Sequence, residues 1–344
     1  MIKVLIVDDS ALIRQVFETV LSDSDGIEVV GTARDAYEAR EKIKKLNPDV
    51  LTLDIEMPKM DGIAFLEKIM TLRPMPVIMV STLTQKGADT TIKALELGAI
   101  DYVAKPTSGH SRDNISALKE ELVEKIKIAA SSKVRAISKR PSSLKEELKL
   151  PLGKLNRTLI AIGSSTGGVE ALKDVLTLLP ANTPPVVVVQ HMPEKFTQSF
   201  ASRLDGLCKM RVHEAVDGQK IEAGNVYIAR GGTHLRIEKN GVNYVCRVGG
   251  SDNISGHCPS VDVLFESVAK LIGNKAIGVI LTGMGRDGAT NMLKMKQMGA
   301  INIGQDEQSC VVYGMPKEAK NIGALHIQVP LSKVAEEIVK KCSQ

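Results

Sequence analysis

The sequence predicts two successive α/β domains, each built on a mainly parallel sheet. Short β-branched runs alternate with amphipathic helical stretches through residues 1–125, a basic stretch without periodicity then interrupts the pattern, and the alternation resumes as far as Gly304. A chain of 344 residues is long enough for about two domains, at roughly 100–200 residues each.

The first series of strands is Ile2–Val7, Ile27–Gly31, Val50–Leu53, Val77–Val80 and Ile100–Val103. Between them Ala11–Leu21, Ala36–Leu46, Gly62–Leu72 and Ala88–Leu97 carry apolar residues at helical spacing, and Asn114–Ala130 closes the series as a fifth helix. This alternation implies a five-stranded parallel sheet with helices on both faces. Ser131–Arg157 holds Lys133, Arg135, Lys139, Arg140, Lys145, Lys149 and Lys154 among prolines and paired serines, and reads as a linker, partly helical around Leu144–Leu150. Beyond it, Thr158–Ile162 is a strand, Gly168–Leu179 a helix, and Pro185–Val189 a fully apolar strand of the parallel-sheet kind. Glu194–Leu204 is a helix. Arg211–Val248, with its Asp217-Gly218 and Asn240-Gly241 turns, reads as antiparallel, hairpin-like strands appended to the sheet. Val261–Leu271, Ala276–Leu281, Gly288–Met298 and Ala300–Gly304 restore the α/β pattern, giving a doubly wound second domain.

Composition narrows the function classes. With 43% hydrophobic and 25% charged residues the chain is an ordinary globular one, which excludes wholesale disorder. Aromatics are 3% with no Trp, too few for base-stacking platforms, and the net charge of +5 forms no long cationic helix, so neither nucleic acid nor a membrane surface is the expected partner. No apolar run approaches the roughly 20 residues that span a bilayer, and the short run opening MIKVLIVDD does not read as a signal peptide. Cys208, Cys246, Cys258, Cys310 and Cys342 lack any Cys-x-x-Cys spacing and are expected to be packing or inert surface thiols. A cytoplasmic protein is expected.

Two sets of residues carry chemistry. In an open parallel sheet, functional groups gather at the carboxyl ends of strands. There the first domain places Asp8 and Asp9, Asp54, Ser81, and Lys105 ahead of Pro106. A lone Asp at such a position is usually a helix cap, and Asp9 or Ser10 could cap Ala11–Leu21. The set is different: carboxylates in one crevice repel each other unless a hard cation is present. Mg²⁺ suits oxygen ligands, and a lysine beside it could neutralise a transferring phosphoryl group. These residues, with Met57-Pro58-Lys59-Met60-Asp61-Gly62, resemble the response-regulator receiver domain, which is flavodoxin-like. The resemblance implies that Asp54 is the phospho-acceptor, Asp8 and Asp9 metal-binding acids, Ser81 and Lys105 the switch hydroxyl and lysine, and Tyr102 the switch aromatic.

The second set begins at Gly163-Ser164-Ser165-Thr166-Gly167-Gly168, between a strand and a helix. As a dinucleotide fingerprint it fails, because the glycines are misplaced and the next strand ends in Gln190 rather than an acid. As G-x-S-x-G it fits when centred on Ser165, with helix N–H groups available to an oxyanion. Taken alone, Ser165 could equally serve as a phosphate or helix-cap residue. A nucleophilic serine needs an oriented base. His191 follows the neighbouring apolar strand in Gln190-His191-Met192-Pro193, and Asp287 lies in Thr282-Gly283-Met284-Gly285-Arg286-Asp287-Gly288 after another strand. His110, His213, His234, His257 and His326 lack that placement and read as surface or core residues.

With both sets, the chain resembles the chemotaxis response-regulator protein-glutamate methylesterases over nearly all its length. That resemblance implies a receiver at 1–125, a linker at 126–154 and a catalytic domain at 155–344. It implies a hydrolase acting on glutamyl methyl esters, and deamidating some glutamines, of methyl-accepting chemoreceptors. Phosphorylation of Asp54 by the chemotaxis histidine kinase would activate it, relieving a receiver that otherwise covers the cleft. Ser165, His191 and Asp287 would form the triad, with N–H groups near Thr166 and Met284 holding the oxyanion. Mg²⁺ would serve the receiver, and ester hydrolysis would need no cofactor. Two other classes remain open here, a regulator with a DNA-binding output and a nucleotide-dependent enzyme. The first lacks a basic recognition helix, the second a Walker lysine or dinucleotide acid.

Overall fold

The computed structural model describes residues 1–82, 84–106, 112–132, 134, 147–150 and 155–343. The chain divides into two compact units, Met1–Pro141 and Ser142–Gln344.

The first unit is a five-stranded parallel sheet in the order β2-β1-β3-β4-β5. Its strands are β1 (Ile2–Val7), β2 (Ile27–Ala33), β3 (Val50–Asp54), β4 (Val77–Ser81) and β5 (Asp101–Ala104). The helices are α1 (Ala11–Ser22), α2 (Ala36–Leu46), α3 (Gly62–Leu72), α4 (Gln85–Glu96) and α5 (Arg112–Ser131). β3 and β4 are buried along their whole length, as continuous apolar runs covered on both faces must be. Side-chain oxygens of Ser10, Asp35, Asp61 and Thr84 cap the first four helices, fixing where each strand hands over to its helix. Helix α5 runs past residue 125 to Ser131, so helix continues into the span read as linker.

The second unit is a seven-stranded sheet in the order β14-β13-β12-β6-β7-β9-β8, every pairing parallel. Its strands are β6 (Leu159–Ser164), β7 (Val186–Gln190), β8 (Arg211–Glu214), β9 (Asn225–Ile228), β12 (Ala276–Ile280), β13 (Ile301–Gln305) and β14 (Ile327–Val329). β10 (His234–Asn240) and β11 (Asn243–Gly249) form a separate antiparallel hairpin. The helices are α6 (Gly168–Leu176), α7 (Glu194–Asp205), α8 (Val261–Leu271), α9 (Ala289–Gln297), α10 (Met315–Asn321) and α11 (Leu331–Cys342).

The expected antiparallel region is thus confined to one hairpin, turned by Gly241-Val242, with β8 and β9 widening the parallel sheet instead. Asp217-Gly218 does not turn a hairpin: Gly218 N donates to Cys246 O at 2.8 Å, and Asp217 accepts from Arg247 and Val248, so this loop fastens onto β11. The helix expected near Leu144–Leu150 is not formed over residues 147–150, and 144–146 lie outside the described residues.

Going from β6 to β7 the chain steps one way along the sheet; β12 pairs on the other side of β6. A crevice therefore opens at the carboxyl ends of these three adjacent strands. Helix α8 packs across them, with Val261, Leu264 and Phe265 in the core. Gly163 makes that approach possible, since a Cβ there would lie 2.3 Å from Val261 Cγ1. Gly163→Ala is therefore expected to lower the unfolding free energy of the second unit by roughly 1–3 kcal/mol, the usual cost of overpacking. Urea denaturation followed by circular dichroism measures this, and an unchanged midpoint would show that α8 yields freely.

Candidate active site

Ser164 and Ser165 differ by one residue and face different surroundings. Ser164 ends β6 in register with Gln190 of β7, is fully buried, and donates from Oγ to Gln190 Oε1 at 2.7 Å. Ser165 begins the turn and is half-buried, with its N–H donating to Thr282 O at 3.0 Å and its carbonyl accepting from Gly168 N at 2.7 Å. Gln190 Nε2 donates to Ser165 O at 2.9 Å and to His191 O at 3.2 Å, tying the two turns together.

Across the crevice, His191 Nδ1 lies 3.1 Å from Ser165 Oγ, and Nε2 lies 2.8 Å from Asp287 Oδ2. A carboxylate can only accept, so Nε2 carries the proton and Nδ1 is left to accept from the serine hydroxyl.

Asp287 is 1% exposed, and its two oxygens accept from four donors. Oδ2 takes His191 Nε2 and Val261 N (2.7 Å), while Oδ1 takes Ser260 Oγ (2.8 Å) and Asp262 N (2.9 Å). Three of these groups belong to the start of α8, where free N–H groups and the helix dipole favour an anion. Burial by itself would raise this carboxyl. The His191 interaction and the Asp262 and Val261 N–H groups outweigh it and hold the pKa below the ordinary 3.8.

The loop after β12 closes the other wall. A Cβ on Gly283 would lie 2.8 Å from Ser165 Cβ, so this backbone passes directly against the serine, and Met284 stands beyond it, 37% exposed. Thr166 is buried, and its carbonyl accepts from Thr282 Oγ1 at 3.0 Å.

Of the histidines read as surface or core residues, His257 is a correction. Its ring stacks on His191, with centroids 3.7 Å apart and 19° between planes. The chain reaches this position through the loop between the hairpin strand β11 and α8, not from an end of a parallel-sheet strand, which is why spacing did not reveal it. His213, His234 and His326 make structural hydrogen bonds, and His110 lies outside the described residues. Ser260, Gln190 and the α8 N–H groups were also missed. A helix cap at Ser260 was legible, but not that it faces Asp287.

In the first unit, Asp8 follows β1 and Asp54 ends the adjacent β3. Lys105 Nζ lies 3.2 Å from Asp8 Oδ2 and 2.8 Å from Asp54 Oδ2, and no other donor among the described residues serves either oxygen. Burial and the neighbouring Asp8 raise Asp54 to about 6 against the pull of Lys105, and burial also raises Asp8. Asp8, Asp9 and Asp54 each offer an oxygen within 4.8 Å of the others. Three carboxylates against one lysine, two of them buried and sharing that lysine, fit a hard divalent cation. Ser81 Oγ points to α4, 2.8 Å from Thr91 Oγ1. Tyr102 is buried with Lys125 Nζ 4.9 Å above its ring.

The family model described as CheB methylesterase matches residues 160–338, and that described as response regulator receiver domain matches 4–115. A protein-glutamate methylesterase/protein-glutamine glutaminase of Chromohalobacter salexigens is 52% identical over 341 residues, covering 99% of this chain and 96% of the relative. The chain belongs to the protein-glutamate methylesterase/protein-glutamine glutaminase family. A second member, from Nitrosomonas europaea, is 50% identical over 345 residues, covering 99% of this chain and 96% of its own. The solved CheB methylesterase catalytic domain of Thermotoga maritima superposes with a TM-score of 0.52 at 39% identity, over 54% of this chain and 98% of that one. Both constellations therefore sit inside family-matched segments, and the DNA-binding and nucleotide-dependent alternatives fall away.

Because the Asp287 carboxyl is lowered on folding, its stabilising contribution is complete above the unfolded value near 3.8 and is lost as pH falls through the folded value. Asp287→Asn is expected to cost about 1–3 kcal/mol at pH 7, the price of leaving a buried donor unsatisfied. It should also flatten the acid limb of stability below about pH 4. Urea unfolding at pH 3–7 checks both, and parallel profiles for wild type and variant would contradict the assignment.

Proposed function

We propose that Ser165, His191 and Asp287 form the catalytic triad of a methylesterase and glutaminase acting on glutamyl side chains of methyl-accepting chemoreceptors in the cytoplasm. The observation that carries this is the unbroken hydrogen-bond line from Ser165 Oγ through His191 to a buried Asp287, at 3.1 and 2.8 Å. It lies in a chain about half identical to methylesterases end to end.

In the forward reaction Ser165 Oγ attacks the side-chain carbonyl while His191 Nδ1 takes its proton. The resulting oxyanion is held by N–H groups near Thr166 and Met284. His191 returns the proton to the departing methanol, or to ammonia when the substrate is a glutamine. Water then enters and attacks the acyl carbonyl as His191 removes its proton; His191 returns that proton to Ser165 Oγ as the C–O bond to serine breaks, releasing glutamate. Asp287 holds the Nε2–H tautomer throughout and stabilises the imidazolium. The hydrolysis draws on no cofactor.

The receiver supplies regulation in this reading. Asp54 accepts a phosphoryl group from the chemotaxis histidine kinase, and Lys105 is positioned to balance the added charge. Asp8, Asp9 and Asp54 would hold Mg²⁺, which when bound neutralises phosphoryl oxygens. Ser81 and Tyr102 report the change to α4 and α5, and the unphosphorylated receiver, residues 1–125, restrains the catalytic domain, residues 155–344. The 126–154 linker tethers the two.

The deciding experiment is methanol release from methylated chemoreceptor membranes, with and without Mg²⁺ and a small phosphodonor. Ser165→Ala should reduce release at least about 10³-fold. Ser164→Ala keeps most of it, because its hydroxyl is spent on Gln190, while losing about 1–3 kcal/mol of stability. Equal loss of activity in both would overturn the nucleophile. Asp54→Asn should release methanol at the basal rate and lose the response to phosphodonor. The fragment 155–344 is expected to exceed the unphosphorylated intact chain; a slower fragment would make the receiver an activator rather than a restraint.

A further inference from the structure

The stacking of His257 on His191 has no part in the triad chemistry, yet the surrounding chain is arranged to hold it in place. Two hydrogen bonds in the plane of the His191 ring, to Ser165 and Asp287, set where its nitrogens point. They leave the ring face unsupported, and the last torsion of a histidine is intrinsically broad. The ring of His257 lies flat against that face at 3.7 Å.

His257 sits on a fixed platform. It ends a tight turn in which Ile254 and His257 exchange N–H···O bonds, both 3.1 Å, around Ser255 and Gly256, whose φ angles of 55° and 85° are positive. Ser255 Oγ donates to Asp262 Oδ2 at 3.0 Å, anchoring the turn to α8. His234, buried at the start of β10, grips the loop at two further points. Its Nδ1 accepts from Ser260 N at 3.2 Å, and its Nε2 lies 2.7 Å from Asp252 O. Gly232 N reaches Cys258 O at 3.3 Å. The same helix start that holds Asp287 therefore also holds the ring that covers its histidine.

We propose that His257 is a positioning residue: as a flat, neutral ring it restricts His191 to the orientation in which Nδ1 meets Ser165, and it shields that face from water. The inference rests on the triad reading above. The imidazole of His257 is suited to this, since burial and the adjacent His191 lower its pKa to about 4 despite Asp287. When His191 accepts the serine proton, it acquires charge against an uncharged aromatic face rather than beside a second cation.

The test compares wild type, His257→Ala, His257→Phe and Ser165→Ala in the full chain. Two readouts are used, the rate of Ser165 labelling by a fluorophosphonate and the thermal unfolding temperature. Labelling of wild type but not Ser165→Ala establishes the activated serine; an unlabelled wild type would overturn the triad reading and this inference together. Given labelling, His257→Ala is expected to react about 10- to 30-fold more slowly, and His257→Phe, which restores a flat ring, within about threefold of wild type. Reaction of His257→Ala at the wild-type rate would overturn the proposal while leaving the triad intact. So would a Phe variant as slow as the Ala variant at equal unfolding temperature. A Phe variant that unfolds early is replaced by His257→Tyr, judged by the same threefold limit.

Discussion

The catalytic unit is organised around one buried anion. Asp287 has no access to water, and its charge is tolerable only because four donors converge on it. Three come from the start of α8 and the fourth is the histidine. That single requirement fixes the position of α8 over the sheet, the tautomer of His191 and the direction of the serine hydroxyl proton. It also accounts for Gly163, because α8 cannot bring its first N–H groups to Asp287 unless Val261 lies against bare β6 backbone. Packing and chemistry are here the same contact seen from two sides.

The receiver solves the opposite electrostatic problem. Asp8 and Asp54 are buried without helix N–H groups enough to satisfy them, and Lys105 alone spans both. The result is a raised Asp54 rather than a lowered one. A carboxylate as well solvated by donors as Asp287 would be a poor acceptor and a good orienting group. One that shares a single lysine with a second carboxylate has room for a further cation. Two buried aspartates, one ending β3 and one in the loop after β12, thus shift in opposite directions because of what faces them.

Much of this was legible in the chain itself. Short β-branched runs gave all five strands of the first sheet and β6, β7, β12 and β13 of the second, and the carboxyl sides of these strands marked Asp8, Asp54, Ser165, His191 and Asp287, because open parallel sheets collect their loops on one edge. What escaped was information held by pairing rather than by pattern. β8 and β9 are only four residues each and lie among turn-rich sequence, so they look like hairpin strands, and only their neighbours reveal parallel pairing. Likewise α10 and β14 are brief, at seven and three residues, whereas α11, twelve residues behind Pro330 with Val334, Ala335, Ile338 and Cys342 on one face, carries a readable helical signal. His257 illustrates the limit most sharply. It follows the hairpin strand β11 rather than a strand of the parallel sheet, and its place depends on a turn whose geometry is set by contacts to α8 and His234.

The orientation of His191 follows from the order in which the chain builds the crevice. Serine and histidine follow adjacent strands β6 and β7, joined directly by α6, whereas the acid arrives much later, in the loop after β12, on the far side of β6. The imidazole must therefore reach back across the serine turn to find its carboxylate. It does so with Nε2, the nitrogen farther from its own backbone, leaving the nearer Nδ1 for Ser165. The familiar serine-protease arrangement uses the two nitrogens the other way round. Either assignment gives a proton donor to the acid and an acceptor for the serine, so the chemistry survives the exchange. The difference is mechanical: rotation about Cβ–Cγ carries Nδ1, which lies farther from that axis, through a wider arc than Nε2, so the nitrogen facing the nucleophile is the one a loose ring would misplace. Asp287 holds Nε2 and His257 lies on the ring face, so both constraints oppose the rotation that would carry Nδ1 away from Ser165.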